Sequence, residues 1–137
     1  MKTARRRSRE AALQALYAWL LAGGDSDEYV AQAGTLEGYS RADRALAENL
    51  IRGVIARAPQ LEELIAARID RRLSLVSPVE RAILMIGVYE LSEHAATPFK
   101  VVINEAIELG KRYGSEESGA FINGILDKLA GELRKDA

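Results

Sequence analysis

Residues 77–91 read SPVERAILMIGVYEL, and this stretch decides the fold. Ser77-Pro78-Val79-Glu80 is a capping box with proline at the first helical position. The serine oxygen serves an N–H left without a partner at the helix start, and proline gives up an N–H that no helix uses there. The residues after the cap are apolar nearly all round, so the helix over about residues 78–94 belongs in the centre of a core. A helix with no wet face needs others packed around it.

Working outward, apolar residues recur at helical spacing on both sides. Thr97-Pro98 repeats the cap-plus-proline device and opens a helix to about 113, with Val102, Ile103, Ala106 and Ile107 inward and Gly114 at its end. The last helix covers about 116–134 through Phe121, Ile122, Ile125, Leu126, Leu129 and Leu133. On the other side, Leu61, Leu64, Ile65 and Ile69 predict a helix over about 59–72, with Pro59 closing the preceding one at Ala58. That preceding helix, about 41–57, carries Leu46, Leu50, Val54 and Ile55 behind a looser capping box, Ser40-Arg41-Ala42-Asp43. Leu13, Leu16 and Leu20 line a first helix over about 4–22 that Gly23-Gly24 ends. A short helix over 26–33 and a loop through Gly34 and Gly38 complete the chain. No segment alternates with period two, so the fold is all-α, six to seven helices in two packed halves, about 1–58 and 59–137. Gly53, Gly87, Gly110, Gly119, Gly124 and Gly131 fall inside helices at about 1 kcal/mol each relative to alanine. Close helix–helix approach is the expected compensation.

The chain has 137 residues, one His and no Cys, which removes disulfides, thiolate metal sites and cysteine nucleophiles together. No apolar run approaches a membrane span, and the basic N-terminus lacks the apolar stretch of a signal peptide, so a cytoplasmic protein is expected. The near-zero net charge of −1 hides an asymmetry. Lys2, Arg5, Arg6, Arg7 and Arg9 put +5 on the first nine residues, leaving 14 bases against 20 acids elsewhere, a net of −6. Such a distribution suits a directed electrostatic contact.

Catalytic groupings are weak. His94 follows Glu90 by four residues, but a metal needs more ligands than this pair, and a His there complements the helix dipole. Glu105 and Glu108 share a face with Lys111 and Arg112 one turn on, a pattern of solvated ion pairs. Gly110-Lys111-Arg112-Tyr113-Gly114-Ser115 fails as a phosphate loop for want of the right spacing and a preceding strand. The reading is a non-enzyme with no cofactor and no metal.

The N-terminal arginines are different. Positive side chains in a first helical turn oppose the helix dipole by about 0.3–1 kcal/mol each, so something outside the fold offsets them. Phosphates of a nucleic-acid strand would, and four or five contacts to a single strand imply a log–log salt slope of about −3. Tyr17 and Trp19 lie further along the same helix, where aromatic rings beside arginine suit unpaired RNA bases or, equally, the core.

Four segments then bear a family likeness: ARRRSREAALQALYAWL (4–20), VERAILMIGVYEL (79–91), PFKVVINEAIELGKRYGSEES (98–118) and FINGILDKL (121–129). In this order they resemble the NusB family of bacterial transcription antitermination factors over nearly the whole chain, least over about 23–40. The resemblance implies a single RNA-binding domain, residues 1–137, of two perpendicular helical halves. It implies binding of boxA RNA in ribosomal-RNA and some phage leader transcripts with NusE, a small-subunit ribosomal protein. The complex so formed makes RNA polymerase resistant to termination. It places Lys2, Arg5, Arg6, Arg7, Arg9 and Tyr17 on the RNA surface, adds Phe121 for stacking and Asn123 for hydrogen bonding, and puts Glu80 toward NusE. Core packing is the competing role for Phe121, a local helix-end bond for Asn123, and the capping box for Glu80. RNA cytosine methyltransferases carry a similar module, but this chain has neither the length of a cofactor-binding fold nor a cysteine. A helical protein-interaction adaptor without RNA binding is the alternative function.

Overall fold

The computed structural model describes residues 2–137 and divides into two compact units, the first ending at Arg57 and the second beginning at Ala58. The described residues form seven α-helices and two short 3-10 turns, with no strand among them.

The first unit packs α1 (Ala4–Ala22), α2 (Ser26–Ala33) and α3 (Arg44–Ala56) against one another, with a 3-10 turn at Tyr39–Arg41. Its core holds Leu13 and Leu16 of α1, Tyr29 and Ala33 of α2, and Leu46, Leu50, Ile51 and Val54 of α3. Burial of each large aliphatic side chain contributes about 1.5–3 kcal/mol. Gly23 (φ 68°) and Gly24 (φ 106°) take left-handed backbone that a side chain would strain, which is why α1 stops where the sequence predicts. The turn is held from both sides: Trp19 Nε1 donates to the Gly24 carbonyl at 3.2 Å, and the Tyr29 hydroxyl donates to that of Gly23. The start of α3 differs from expectation. Asp43, not Ser40, is the cap, its carboxylate accepting the Leu46 N–H at 3.1 Å, because the chain before it turns as a 3-10 segment.

The second unit is built around α5 (Pro78–Glu93), on which α4 (Ala58–Ala66), α6 (Phe99–Tyr113) and α7 (Ser118–Leu133) all pack. Every residue from Ala82 to Leu91 is buried, as an all-round apolar helix requires. Gly87 permits that packing: a Cβ there would lie 2.7 Å from Leu126 Cδ1 of α7. Gly110 does the same between α6 and Ile122, at 2.8 Å. The expectation fails at Gly124 and Gly131, where a Cβ would meet nothing within 4 Å.

Three helix ends also depart from prediction. The fourth helix stops at Ala66 rather than near 72, and the chain turns into a 3-10 segment at Leu73–Leu75. Thr97 does not cap α6; the Phe99 N–H instead donates to Asp136 Oδ2 at 3.3 Å, a partner from the C-terminal tail. At α5, Ser77 Oγ accepts the Glu80 N–H at 3.2 Å as expected, but Glu80 does not complete the box. Its Oε1 accepts from the Ser77 hydroxyl (3.3 Å) and its Oε2 from the buried Ser118 hydroxyl (2.8 Å), tying the start of α5 to that of α7.

The C-terminus of α5 has no basic residue in its last turn. Arg134 supplies the charge from beyond α7. Its Nε donates to the Leu91 carbonyl at 2.7 Å, and its Nη2 reaches those of Thr97 (2.8 Å), His94 (2.9 Å) and Glu90 (3.3 Å). A planar guanidinium can serve several carbonyls converging on one helix end, and here it also meets Asp136 at 3.3 Å.

Candidate nucleic-acid interface

In the first unit the arginines begin α1. The Thr3 hydroxyl accepts the Arg6 N–H at 3.0 Å, and no acidic residue occupies the first turn. Ser8 anchors this end: its buried hydroxyl lies 2.6 Å from the Asp43 carbonyl and 3.0 Å from that of Ala4. The Asp43 N–H also donates to the Ala4 carbonyl at 3.2 Å, so the arginines ride on a fixed helix start rather than a loose tail.

The five cations are not equivalent. Arg5 is exposed, its guanidinium 3.6 Å from Asp43, and Arg6 and Arg7 are half-buried. Arg9 is only 3% exposed, packed into the start of α1 where the expectation had it facing solvent with the others. Face alone does not explain it, since Arg5 and Arg9 lie one turn apart on the same face; residues 8 to 12 are buried all round the helix, whereas Arg5 stands a turn nearer its open end. Lys2 is held by Glu10, Nζ to Oε1 2.8 Å. The solvent-facing cluster therefore narrows to Arg5, Arg6 and Arg7. Were these three to meet phosphates, the salt slope from this end would be about −2 instead of −3.

Further along α1, Tyr17 is 39% exposed and Leu21 one turn on is more so, giving an open aromatic–aliphatic face. Trp19 is half-buried and committed to the turn at Gly24, so it belongs to the fold.

The second unit carries the other predicted residues, Phe121 and Asn123 on α7 and Glu80 on α5. Phe121 is half-buried, and the Arg71 guanidinium carbon lies 4.8 Å from its ring centroid. Asn123 is exposed, mid-helix, and makes no side-chain hydrogen bond to the described residues, so the local helix-end role does not apply. Gly124 beside it presents bare backbone. Glu117 is the N-cap of α7 without a capping bond of its own; its Oε2 accepts from Ser115 Oγ at 3.3 Å. Glu80 is half-buried with both oxygens engaged by serine hydroxyls, so a partner's donor would share them.

Sequence reasoning missed Arg71. A helix running to 72 would have made it one more cation of a last helical turn; the earlier stop at Ala66 puts it in a connecting segment instead. Elsewhere, Glu108 pairs with Lys111 at 3.7 Å, in keeping with a solvated face. His94 caps α5, its N–H donating to the Glu90 carbonyl at 2.9 Å. Among the described residues no group of three or more His, Cys, Asp or Glu is placed to hold a metal, and no helix is long and apolar enough to cross a membrane.

Known proteins share this architecture and sequence. The profile of the NusB family matches residues 6–131. A transcription antitermination protein NusB from Burkholderia cenocepacia (strain HI2424) is 47% identical over 133 residues, covering 97% of this chain and 92% of its own length. One from Dechloromonas aromatica (strain RCB) is 46% identical over 135 residues, covering 98% and 83%. Among solved structures, T. maritima NusB superposes with a TM-score of 0.87 at 36% identity over 99% of this chain and 97% of its own. A crystal structure of antitermination factors NusB and NusE in complex with double-stranded RNA shares the fold, with a TM-score of 0.81 at 22% identity over 93% and 96%.

Proposed function

We propose, since this chain belongs to the NusB family, that it is a transcription antitermination factor that binds boxA RNA together with NusE and so helps RNA polymerase resist termination. The observation that carries the RNA contact is the anchored, acid-free first turn of α1 with Arg5, Arg6 and Arg7. Their mutual repulsion and their opposition to the helix dipole cost stability, and phosphate oxygens offset both. Tyr17 extends this surface along α1 with an exposed ring. In the second unit Phe121 supplies an aromatic face and Asn123 an unpaired amide that can read a base edge. Lys2 and Arg9 act behind these, Lys2 through Glu10 and Arg9 from its buried position.

Phosphate contacts of this number bind modestly, so a second protein on the same RNA raises affinity through combined contacts. That is the part assigned to NusE, with Glu80 and the α5–α7 junction it ties together on the NusE-facing surface. Nothing in this scheme calls for a cofactor or a catalytic group. Reconstituted transcription across a terminator downstream of boxA tests it: read-through that rises when this protein and NusE are added together supports the reading. Read-through indifferent to this protein, at full NusE, contradicts it.

The geometry also sets expectations for single residues. Glu117→Gln removes a carboxylate from the end of α7 where the dipole attracts phosphate, and RNA affinity should rise about two- to threefold. Unchanged affinity by titration would place the RNA away from that end. Gly124→Ala and Gly131→Ala should each stabilise the fold by about 0.5–1 kcal/mol, since both alanines enter open space in a helix. Only Gly124→Ala should weaken RNA binding, severalfold, because it adds a methyl beside Asn123; equal affinities for the two variants would remove Gly124 from the interface.

A further inference from the structure

We infer that Arg71 and Phe121 form a composite stacking platform on which an unpaired RNA base is held, with Arg72 beside it for the adjoining phosphate. The inference rests on the RNA-binding reading above and adds Arg71 and Arg72 to the residues assigned to it, with Phe121 as the support beneath Arg71. The segment between α4 and the 3-10 turn at Leu73–Leu75 is anchored to α7 by a two-pronged pair, Arg68 Nε to Glu132 Oε2 at 2.7 Å and Nη2 to Oε1. That pair uses up the Arg68 charge and fixes the start of the connecting segment. Arg71 then lies over Phe121, Cζ 4.8 Å from the ring centroid, while its side chain remains 45% exposed.

The guanidinium is therefore supported from beneath by an aromatic ring and open above. Among the described residues its one polar contact is a loose 3.4 Å approach to the neighbouring Asp70 carboxylate. A planar cation in this state offers a flat face to a nucleobase, and guanidinium–base stacking is one of the ways unpaired RNA bases are held. Support by Phe121 means less side-chain freedom is lost when the base arrives. The Arg72 side chain is exposed and has no hydrogen-bond or ion-pair partner among the described residues, so its charge is available to a phosphate. Arginine rather than lysine at position 71 is what the chemistry requires: an ammonium keeps the charge but has no planar face.

The test uses the full-length protein with NusE and short boxA RNAs carrying 2-aminopurine at one position at a time. In the parent protein, binding should quench the fluorophore at the position that stacks. Arg71→Lys should weaken binding about five- to tenfold and abolish that quenching while leaving the salt slope unchanged. Arg72→Gln should do the reverse, lowering the slope by about 0.7 with the quenching retained. Combining Arg71→Lys with Phe121→Leu should cost little more than Phe121→Leu alone, because one platform is lost once. If the parent binds boxA and Arg71→Lys matches it in affinity and quenching, the platform is refuted and the RNA-binding reading stands. If the parent binds no RNA with NusE present, both fall together.

Discussion

Arg134→Met should lower the melting temperature by about 10 °C, the largest stability effect of any single substitution outside the apolar core. The guanidinium is 6% exposed and donates to four carbonyls at or just beyond the end of α5. Methionine keeps most of the volume and none of the donors, so those oxygens lose their partners at a largely buried helix end. Hydrogen bonds to a charged group contribute about 1.5–3 kcal/mol, and loss of the set is expected to cost about 3 kcal/mol. For a chain of this size that corresponds to about 10 °C. Arg134→Lys should recover part of it, since an ammonium has three donors but cannot span carbonyls on both sides of a plane. Scanning calorimetry checks both; a shift under about 2 °C for Arg134→Met would mean the carbonyls find other partners.

The double substitution Arg5→Ala/Arg7→Ala should produce the largest functional effect and almost no structural one. Among the described residues Arg5 has only an exposed, 3.6 Å approach to Asp43, worth a fraction of a kcal/mol. Removing two charges from the positive end of α1 relieves dipole opposition, so the melting temperature should hold within about 2 °C. RNA affinity should fall at least tenfold near physiological salt, and the slope of log affinity against log salt should shrink by about 1.4. Loss of binding with a collapsed melting temperature would instead make these arginines part of the fold. No effect on RNA binding would favour the adaptor alternative.

Helices announced by strong local chemistry were legible in the sequence. Ser77-Pro78 starts α5 and Gly23-Gly24 ends α1 where expected, because caps, proline and left-handed glycine act within a few residues. The all-apolar run at 82–91 placed the core for the same reason. What escaped depended on distant partners. Asp136 caps α6 and Arg134 caps α5 from the far end of the chain, and no local pattern near either helix reveals this. The apparent helix to 72 rested on Ile69, whose apolar spacing continues the pattern after α4 has ended.

The candidate site divides along the same line. The basic tip was visible as charge density, yet charge density cannot distinguish Arg5, facing solvent, from Arg9, turned inward. Phe121 and Asn123 came from family likeness; the structure adds an aromatic ring capped by Arg71 and an amide with no bond of its own. Arg71 was hidden because its importance lies in what it covers, a residue 50 positions away in the chain.

The most direct test of the central claim is fluorescence anisotropy of boxA RNA against a scrambled RNA of the same length, with and without NusE, across a salt series. Preferential binding of boxA that NusE tightens, with a salt slope of at least about −2, is the predicted result. Equal binding of the two RNAs would contradict it by leaving only sequence-independent phosphate contacts, and binding to neither while NusE still binds the protein would make this chain a protein adaptor.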